Sequence, residues 1–302
     1  MGGERERSGL LFAALCAING AFVPAVAKLT TSAADPFFVA TSAALFAGLA
    51  AAVALVIRGE FQALINAPQA PSLALIGTLG TAAAFTMFFW GAQRASAIET
   101  VVCLQIEPAY SLFLAWIFLD HPPTPRRIAA TAALLIGIVL AVGGRIAMSP
   151  GVLVLLATPL CWQLSHLVVL RRLVGSPALV LAGGRYVYGG LLLGIVLFLR
   201  SGFGAIPAGG DLLRLLPLLA VQGVVLSYFG TVVWYQAVLR LDLARTTAIV
   251  VPSIPLLSLV ASFLLLGEVP TIRQWIGLLL AASGVAAFVT APAAGVAATT
   301  RQ

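Results

Sequence analysis

Ala97-Ile-Glu-Thr-Val-Val-Cys-Leu-Gln-Ile-Glu-Pro108-Ala-Tyr-Ser-Leu-Phe-Leu-Ala-Trp-Ile-Phe-Leu119 is an apolar run of helix length with a proline near its centre. A second stretch of the same design is Ala244-Arg-Thr-Thr-Ala-Ile-Val-Val-Pro-Ser-Ile-Pro255-Leu-Leu-Ser-Leu-Val-Ala-Ser-Phe-Leu-Leu-Leu266. The two align without a gap at an offset of 147 residues, which sets Ala97 on Ala244, Thr100 on Thr247, Pro108 on Pro255, Ser111 on Ser258 and Leu119 on Leu266. The register continues with Pro123 on Pro270, Thr124 on Thr271 and Gly137 on Gly284. The chain is therefore a duplication, and each copy is expected to hold a segment broken at its proline. Proline kinks are common in membrane helices. A proline also frees a backbone carbonyl, and interrupted segments at matching positions of two halves point to a transporter's binding site.

The 302 residues are 61% hydrophobic and 9% charged, and the mean hydropathy is +1.07. A soluble domain carries roughly 25% charged residues, so the chain reads as an integral membrane protein. Apolar runs of about 20 residues recur along it, each long enough to span a bilayer as a helix. The short alternating strands of a membrane barrel are absent. The formal charge of +7 is spread over the loops, which makes it topology information and not a nucleic-acid footprint. Cys16, Cys103 and Cys161 lie inside apolar runs, are odd in number and share no metal-ligand spacing, so neither a disulfide framework nor a zinc site is indicated. No phosphate-binding Gly-x-x-x-x-Gly-Lys-[Ser/Thr] loop is present. No cofactor or metal is expected, and energy must come from the solute's own gradient or a coupled ion.

Ten apolar segments follow one another, at about 9–31, 36–57, 72–93, 97–119, 124–145, 150–170, 177–199, 212–239, 244–266 and 271–290. Ser96-Ala-Ile-Glu99 and Thr271-Ile-Arg-Gln274 read as capping boxes. Thr124-Pro125 reads as a cap followed by proline at the first helical position. The first segment is longer than the core of a secretory signal. Residues 9–146 form the first repeat, 150–290 the second, and the Ala-rich tail 291–302 is expected to fray. Five segments per half is an odd number, so the second half must enter the membrane in the opposite sense. Lys and Arg number ten in one set of loops and six in the other, which places both termini in the cytoplasm. The fold class is all-α integral membrane: ten transmembrane helices in two inverted-topology five-helix repeats.

Ile106-Glu107-Pro108 through Asp120, Pro255 through Leu264-Leu265-Leu266-Gly267-Glu268, Gln274-Trp275-Ile276-Gly277 and Gly284-Val285 resemble the drug/metabolite transporter superfamily, in its EamA-like branch. The Leu-Leu-Gly-Glu ending is complete in the second half, while Asp120-His121 stands in place of Gly-Glu in the first. Within the branch, Ala97-Ile98-Glu99 and Trp162 resemble the aromatic amino-acid exporters. Those exporters carry aromatic residues just before the proline, where this chain has Gln105 and Glu107, a departure that favours a broader amino-acid range. The resemblance implies an inner-membrane protein with a central cavity lined by the first, third, fourth, sixth, eighth and ninth segments, and alternating access by rocking helix bundles.

Polar side chains within the segments are few. Glu107 lies mid-segment beside Pro108, where a charge costs roughly 2.5–3.5 kcal/mol on insertion scales. It is expected to face a cavity and hold a substrate ammonium or a proton, against the alternative of a structural pair reached by water. Gln105 is two residues away, on another helix face. Trp162, Gln163 and His166 form a second cluster, with Trp162 and His166 on one face. They suit stacking and protonation, or equally an interfacial belt and a helix–helix hydrogen bond. Asn19 and Ser253 offer groups for a carboxylate or amine, although helix–helix bonding is the commoner role. Phe85, Phe89 and Tyr228 are the aromatic lining candidates, and Pro108 and Pro255 the helix breaks. Arg185 either snorkels to the interface or pairs with Glu107. Gly190 and Gly194 read as helix packing, with the chain a monomer, and Glu99 and Glu268 as caps.

These residues describe a secondary transporter exporting amino acids, aromatic ones within a broad range, from the cytoplasm through a central cavity. Its partners are the small-molecule substrate and the lipid bilayer, with no nucleic acid. The alternatives are export of another small metabolite or drug, an intramembrane lipid-processing enzyme, or a scramblase. The enzyme needs a metal cluster or a nucleophile–base set, and the two histidines of this chain supply neither a His-Glu-x-x-His nor a paired Asp motif.

Overall fold

The structure, a computed structural model, describes residues 2–66, 68–119, 122–142, 149–241 and 243–290. Its helices are α1 (Gly2–Ala33), α2 (Pro36–Arg58), α3 (Ala70–Arg94), α4 (Ala97–Leu104), α5 (Glu107–Leu119), α6 (Pro125–Val142), α7 (Pro150–Arg172) and α8 (Ala178–Ser201). The ninth, α9, is built of Gly209–Ala220, Val221–Phe229 and Gly230–Leu241, and α10 (Leu243–Leu266) and α11 (Ile272–Thr290) complete the chain. Among the described residues, nine helical stretches are long and apolar enough to cross a membrane. The expected fifth segment is described as α6, and its end near Arg145 lies outside the described residues, as do Asp120, His121 and the tail 291–302.

The local signals act where expected. Ser96 and Glu99 close a capping box at the start of α4. Gln274 and Thr271 exchange hydrogen bonds at the start of α11. Asp35 accepts from the Phe37 and Phe38 amides to open α2.

Small residues let the two halves close on each other, as expected where lipid offers no hydrophobic drive between helices. Helices α6 and α11 pack backbone to backbone. A Cβ on Gly284 would lie 2.6 Å from the Leu134 nitrogen, and Gly137 meets the Gly277–Ala281 turn. The two glycines aligned by the duplication thus share one seam. Helix α8 lies along α2 in the same way, with Gly190 against the Ala44 carbonyl. Its Gly190/Gly194 pair is therefore intrachain packing. Helix α1 runs beside α9 and α10, and α3 runs beside α7.

The two proline-bearing segments differ, which corrects the expectation of matching breaks. In the first half the α-helix stops at Leu104. Gln105 and Ile106 donate back three residues, to the Val102 and Cys103 carbonyls at 3.1 and 3.3 Å, and α5 starts at Glu107 with Pro108 in its first turn, where a missing N–H costs nothing. In the second half Pro252 and Pro255 lie inside the unbroken α10. Packing supplies the reason: α10 is held against α1, whereas α5 packs mainly on α6 and α7.

Two further irregularities lie at related places in the halves. Helix α3 passes through a π-helical stretch at Thr78–Ala83, and α9 through one at Val221–Phe229. Such widened turns release backbone groups that neighbouring helices must satisfy.

Candidate functional site

The break between α4 and α5 places Glu107 at a helix N-terminus, where free N–H groups and the helix dipole favour a negative charge. Its Oε1 accepts from the Gln163 side-chain amide of α7 at 2.7 Å, so the contact joins the first half to the second. Glu107 and Gln163 are partly exposed, and His166, one turn beyond Gln163, is exposed. Gln163 and Glu107 at one end, and Arg171 donating to the Phe118 carbonyl at the other, pin α5 to α7.

Arg185 lies on α8, and the sequence left it between snorkelling and a pair with Glu107. It neither snorkels nor pairs with Glu107. Its Nε and Nη2 donate to the Gly80 carbonyl at 3.2 and 2.9 Å, inside the π-helical stretch of α3. The available signal was an arginine eight residues into an apolar segment beside Gly183-Gly184; those glycines pack on Leu55 and Leu73 and bring α8 close to the first half.

The remaining candidates divide. Trp162 packs on Phe88 with ring centroids 6.5 Å apart and has a buried Nε1 without a hydrogen-bond partner. Phe85 and Phe89 belong to the buried core; Phe89 is 0% exposed and has no surface to offer a ligand in this conformation. Gln105 is buried, donates to the Val101 carbonyl at 3.3 Å and leaves its Oε1 unpartnered. Asn19 donates to the Leu226 carbonyl at 3.0 Å, within the π-helical stretch of α9. Ser253 donates to the Ile249 carbonyl at 2.6 Å. Tyr228 lines a separate cavity of about 320 Å³ with Arg58, Glu60, Ala182 and Gln236. Pro108 sits in the first turn of α5 and Pro255 in the middle of α10.

The π-helical stretches show one design twice. Arg185 and Ser165, from the second half, bond to the Gly80 and Ile76 carbonyls of α3. Asn19, from the first half, bonds to the Leu226 carbonyl of α9. Each irregular stretch thus receives a hydrogen bond from the opposite half, beside bonds from its own half such as Tyr186 to the Ser227 carbonyl and Ser227 to the Gln222 carbonyl.

Comparison with known proteins agrees with this architecture. A probable terminal-alkyne amino-acid exporter of Streptantibioticus cattleyicolor is 28% identical over 223 residues, 73% of each chain. A chain of known crystal structure superposes with a TM-score of 0.65 at 19% identity, over 94% of this chain and 97% of that one, a likeness of fold alone. The profile of the EamA-like transporter family matches twice, over residues 7–143 and 149–290. With two family matches covering nearly the whole length, this chain belongs to the EamA-like transporter family of the drug/metabolite transporter superfamily.

Proposed function

We propose that the protein exports amino acids from the cytoplasm by alternating access, taking aromatic ones within a broader range. The observation that carries this reading is the Glu107–Gln163 contact across the two halves, at the break between α4 and α5. A carboxylate held by a neutral amide, at a place where a charge is costly, is suited to receive an ammonium. The name of the Streptantibioticus relative, a probable exporter of a terminal-alkyne amino acid, supports the same solute class. In this reading the repeats 9–146 and 150–290 rock about a central cavity in the inner membrane, with both termini in the cytoplasm. The test is efflux from liposomes loaded with labelled amino acids. Wild-type protein is expected to give saturable efflux and Glu107→Gln to abolish it. Efflux of none of the amino acids from folded protein overturns the reading.

A further inference from the structure

Arg58 is the last residue of α2, and Gly59 follows in the left-handed conformation with φ of 69°. That turn folds the chain back, with the Glu60 amide donating to the Leu55 carbonyl at 2.9 Å. Arg58 and Glu60 thereby line one cavity of about 320 Å³ with Tyr228 and Gln236 of α9 and residues 177–179 at the start of α8. The cavity lies where the halves meet, since α2 belongs to the first and α8 and α9 to the second. Its polar groups are unused. Among the described residues, the Arg58 guanidinium, the Glu60 carboxylate and the Tyr228 hydroxyl make no hydrogen bond or ion pair with the protein or with one another. The start of α8 has no side-chain cap, which leaves orphan N–H groups at the same wall. A cation and an anion that share a cavity without pairing leave room for a ligand bearing both charges.

The surroundings say what kind of ligand. Ile57, beside Arg58, and Phe229, beside Tyr228, are exposed apolar side chains, and on a membrane helix such side chains meet acyl chains. From Tyr228 to Gln236 the cavity follows α9 for about 12 Å at 1.5 Å per residue, and it ends where α2 ends, at the depth of the lipid headgroups. Its volume is near the lower limit of small-molecule pockets, about 300 Å³, which suits a headgroup and not a whole lipid. We infer that this cavity binds one aminophospholipid: the phosphodiester meets Arg58 and the Tyr228 hydroxyl, the ammonium meets Glu60, and the acyl chains leave over Ile57 and Phe229. Basic pockets between transmembrane helices take anionic headgroups, and the carboxylate turns the preference here. A phosphoglycerol headgroup leaves Glu60 without a counter-charge. A choline headgroup has no N–H to give it, and charge-assisted hydrogen bonds are the strong ones. The site does not depend on which solute is exported. On the proposed topology it lies in the cytoplasmic leaflet, where the lipid bridges the two halves.

The test is titration of delipidated protein in detergent with phosphatidylethanolamine, phosphatidylglycerol and phosphatidylcholine of identical chains, with bound lipid counted by native mass spectrometry. Wild type is expected to take up one phosphatidylethanolamine saturably, about fivefold or more tighter than either other lipid. Glu60→Gln is expected to erase that preference and leave phosphatidylglycerol binding no weaker, which also shows that the variant is folded. Arg58→Gln is expected to weaken all three lipids about fivefold or more, with an unchanged unfolding temperature before lipid is added. Arg172→Gln removes an exposed arginine at the end of α7, outside the cavity, and is expected to change none of the three. Equal affinity of wild type for the three lipids, a preference that survives Glu60→Gln, or equal weakening by Arg58→Gln and Arg172→Gln overturns the site. Glycerophosphoethanolamine, the headgroup without chains, is expected to bind about tenfold or more weaker than the lipid. Binding as tight as the lipid's makes the occupant a soluble phosphate ester and overturns the lipid assignment.

Discussion

Glu268 shows how one residue can join the two halves. Gly267 takes the left-handed backbone conformation, with φ of 66°, and its amide returns to the Phe263 carbonyl at 2.9 Å. That turn ends α10 and points the next side chain back at the bundle. The Glu268 carboxylate then accepts from the Ala97 and Ile98 amides at 3.1 and 3.2 Å. These are orphan N–H groups at the start of α4, and the helix dipole adds to the attraction. The Leu-Leu-Gly-Glu ending is therefore a helix cap delivered from the other repeat. Glu268→Ala is expected to cost about 1–2 kcal/mol and Glu268→Gln less, both read as a lower unfolding temperature in detergent. Asn19 acts similarly on α9. Asn19→Ala leaves the Leu226 carbonyl without its donor, and a loss of about 0.6–1.7 kcal/mol is expected by the same measurement.

At the scale of elements, Pro108 does what Pro255 does not, because packing and not proline content decides whether a helix breaks. Pro108 blocks the bond that Leu104's carbonyl would accept, and α5 is free to set off anew. Pro108→Ala restores that donor. It is expected to let the α-helix run through Gln105 and Ile106, withdraw Glu107 from Gln163 and lower the efflux rate at least tenfold, while Pro255→Ala changes it little. Liposome efflux with both variants checks this contrast. The α6–α11 seam depends on its glycines in a different way. Gly284→Val would drive a side chain into the Leu134 and Ala130 backbone, and a loss of about 1–3 kcal/mol is expected from overpacking, read by thermal unfolding.

Across the whole molecule, the bundle is tight around α4 and loose along α5. Helix α4 is in contact with α1, α3, α7, α6 and α10 and is buried over most of its length, whereas α5 packs mainly on α6 and α7. Helix α5 is thus the looser wall beside Glu107, and on the proposed topology its C-terminal end lies on the cytoplasmic side. In a background lacking the three cysteines, His166→Cys is expected to react with a membrane-impermeant maleimide applied from the cytoplasmic side and to be protected by a transported amino acid. Phe89→Cys, in the closed core, is expected to remain unlabelled. Labelling of residue 166 only from the opposite side would reverse the topology.

What depends on neighbours along the chain was legible before any helix was placed. Bilayer-length apolar runs, capping boxes at Ser96 and Thr271 and the register of the duplication are local properties, and local chemistry suffices to read them. It also singled out Glu107, because an ionised group amid apolar residues is costly wherever its face points. Which faces meet emerged from the packed bundle. Hydropathy carries little of that information in lipid, where leucine is equally satisfied by a neighbouring helix or an acyl chain. Hence Phe85 and Phe89, read as lining, are core; Gln105 and Glu107, two residues apart, have different surroundings; and Arg185, read as snorkelling or paired with Glu107, is fastened to Gly80 in the opposite half. The difference between Pro108 and Pro255 was illegible for the same reason. The two prolines are equivalent in sequence, and only the helices packed against them distinguish a break from a continuous turn.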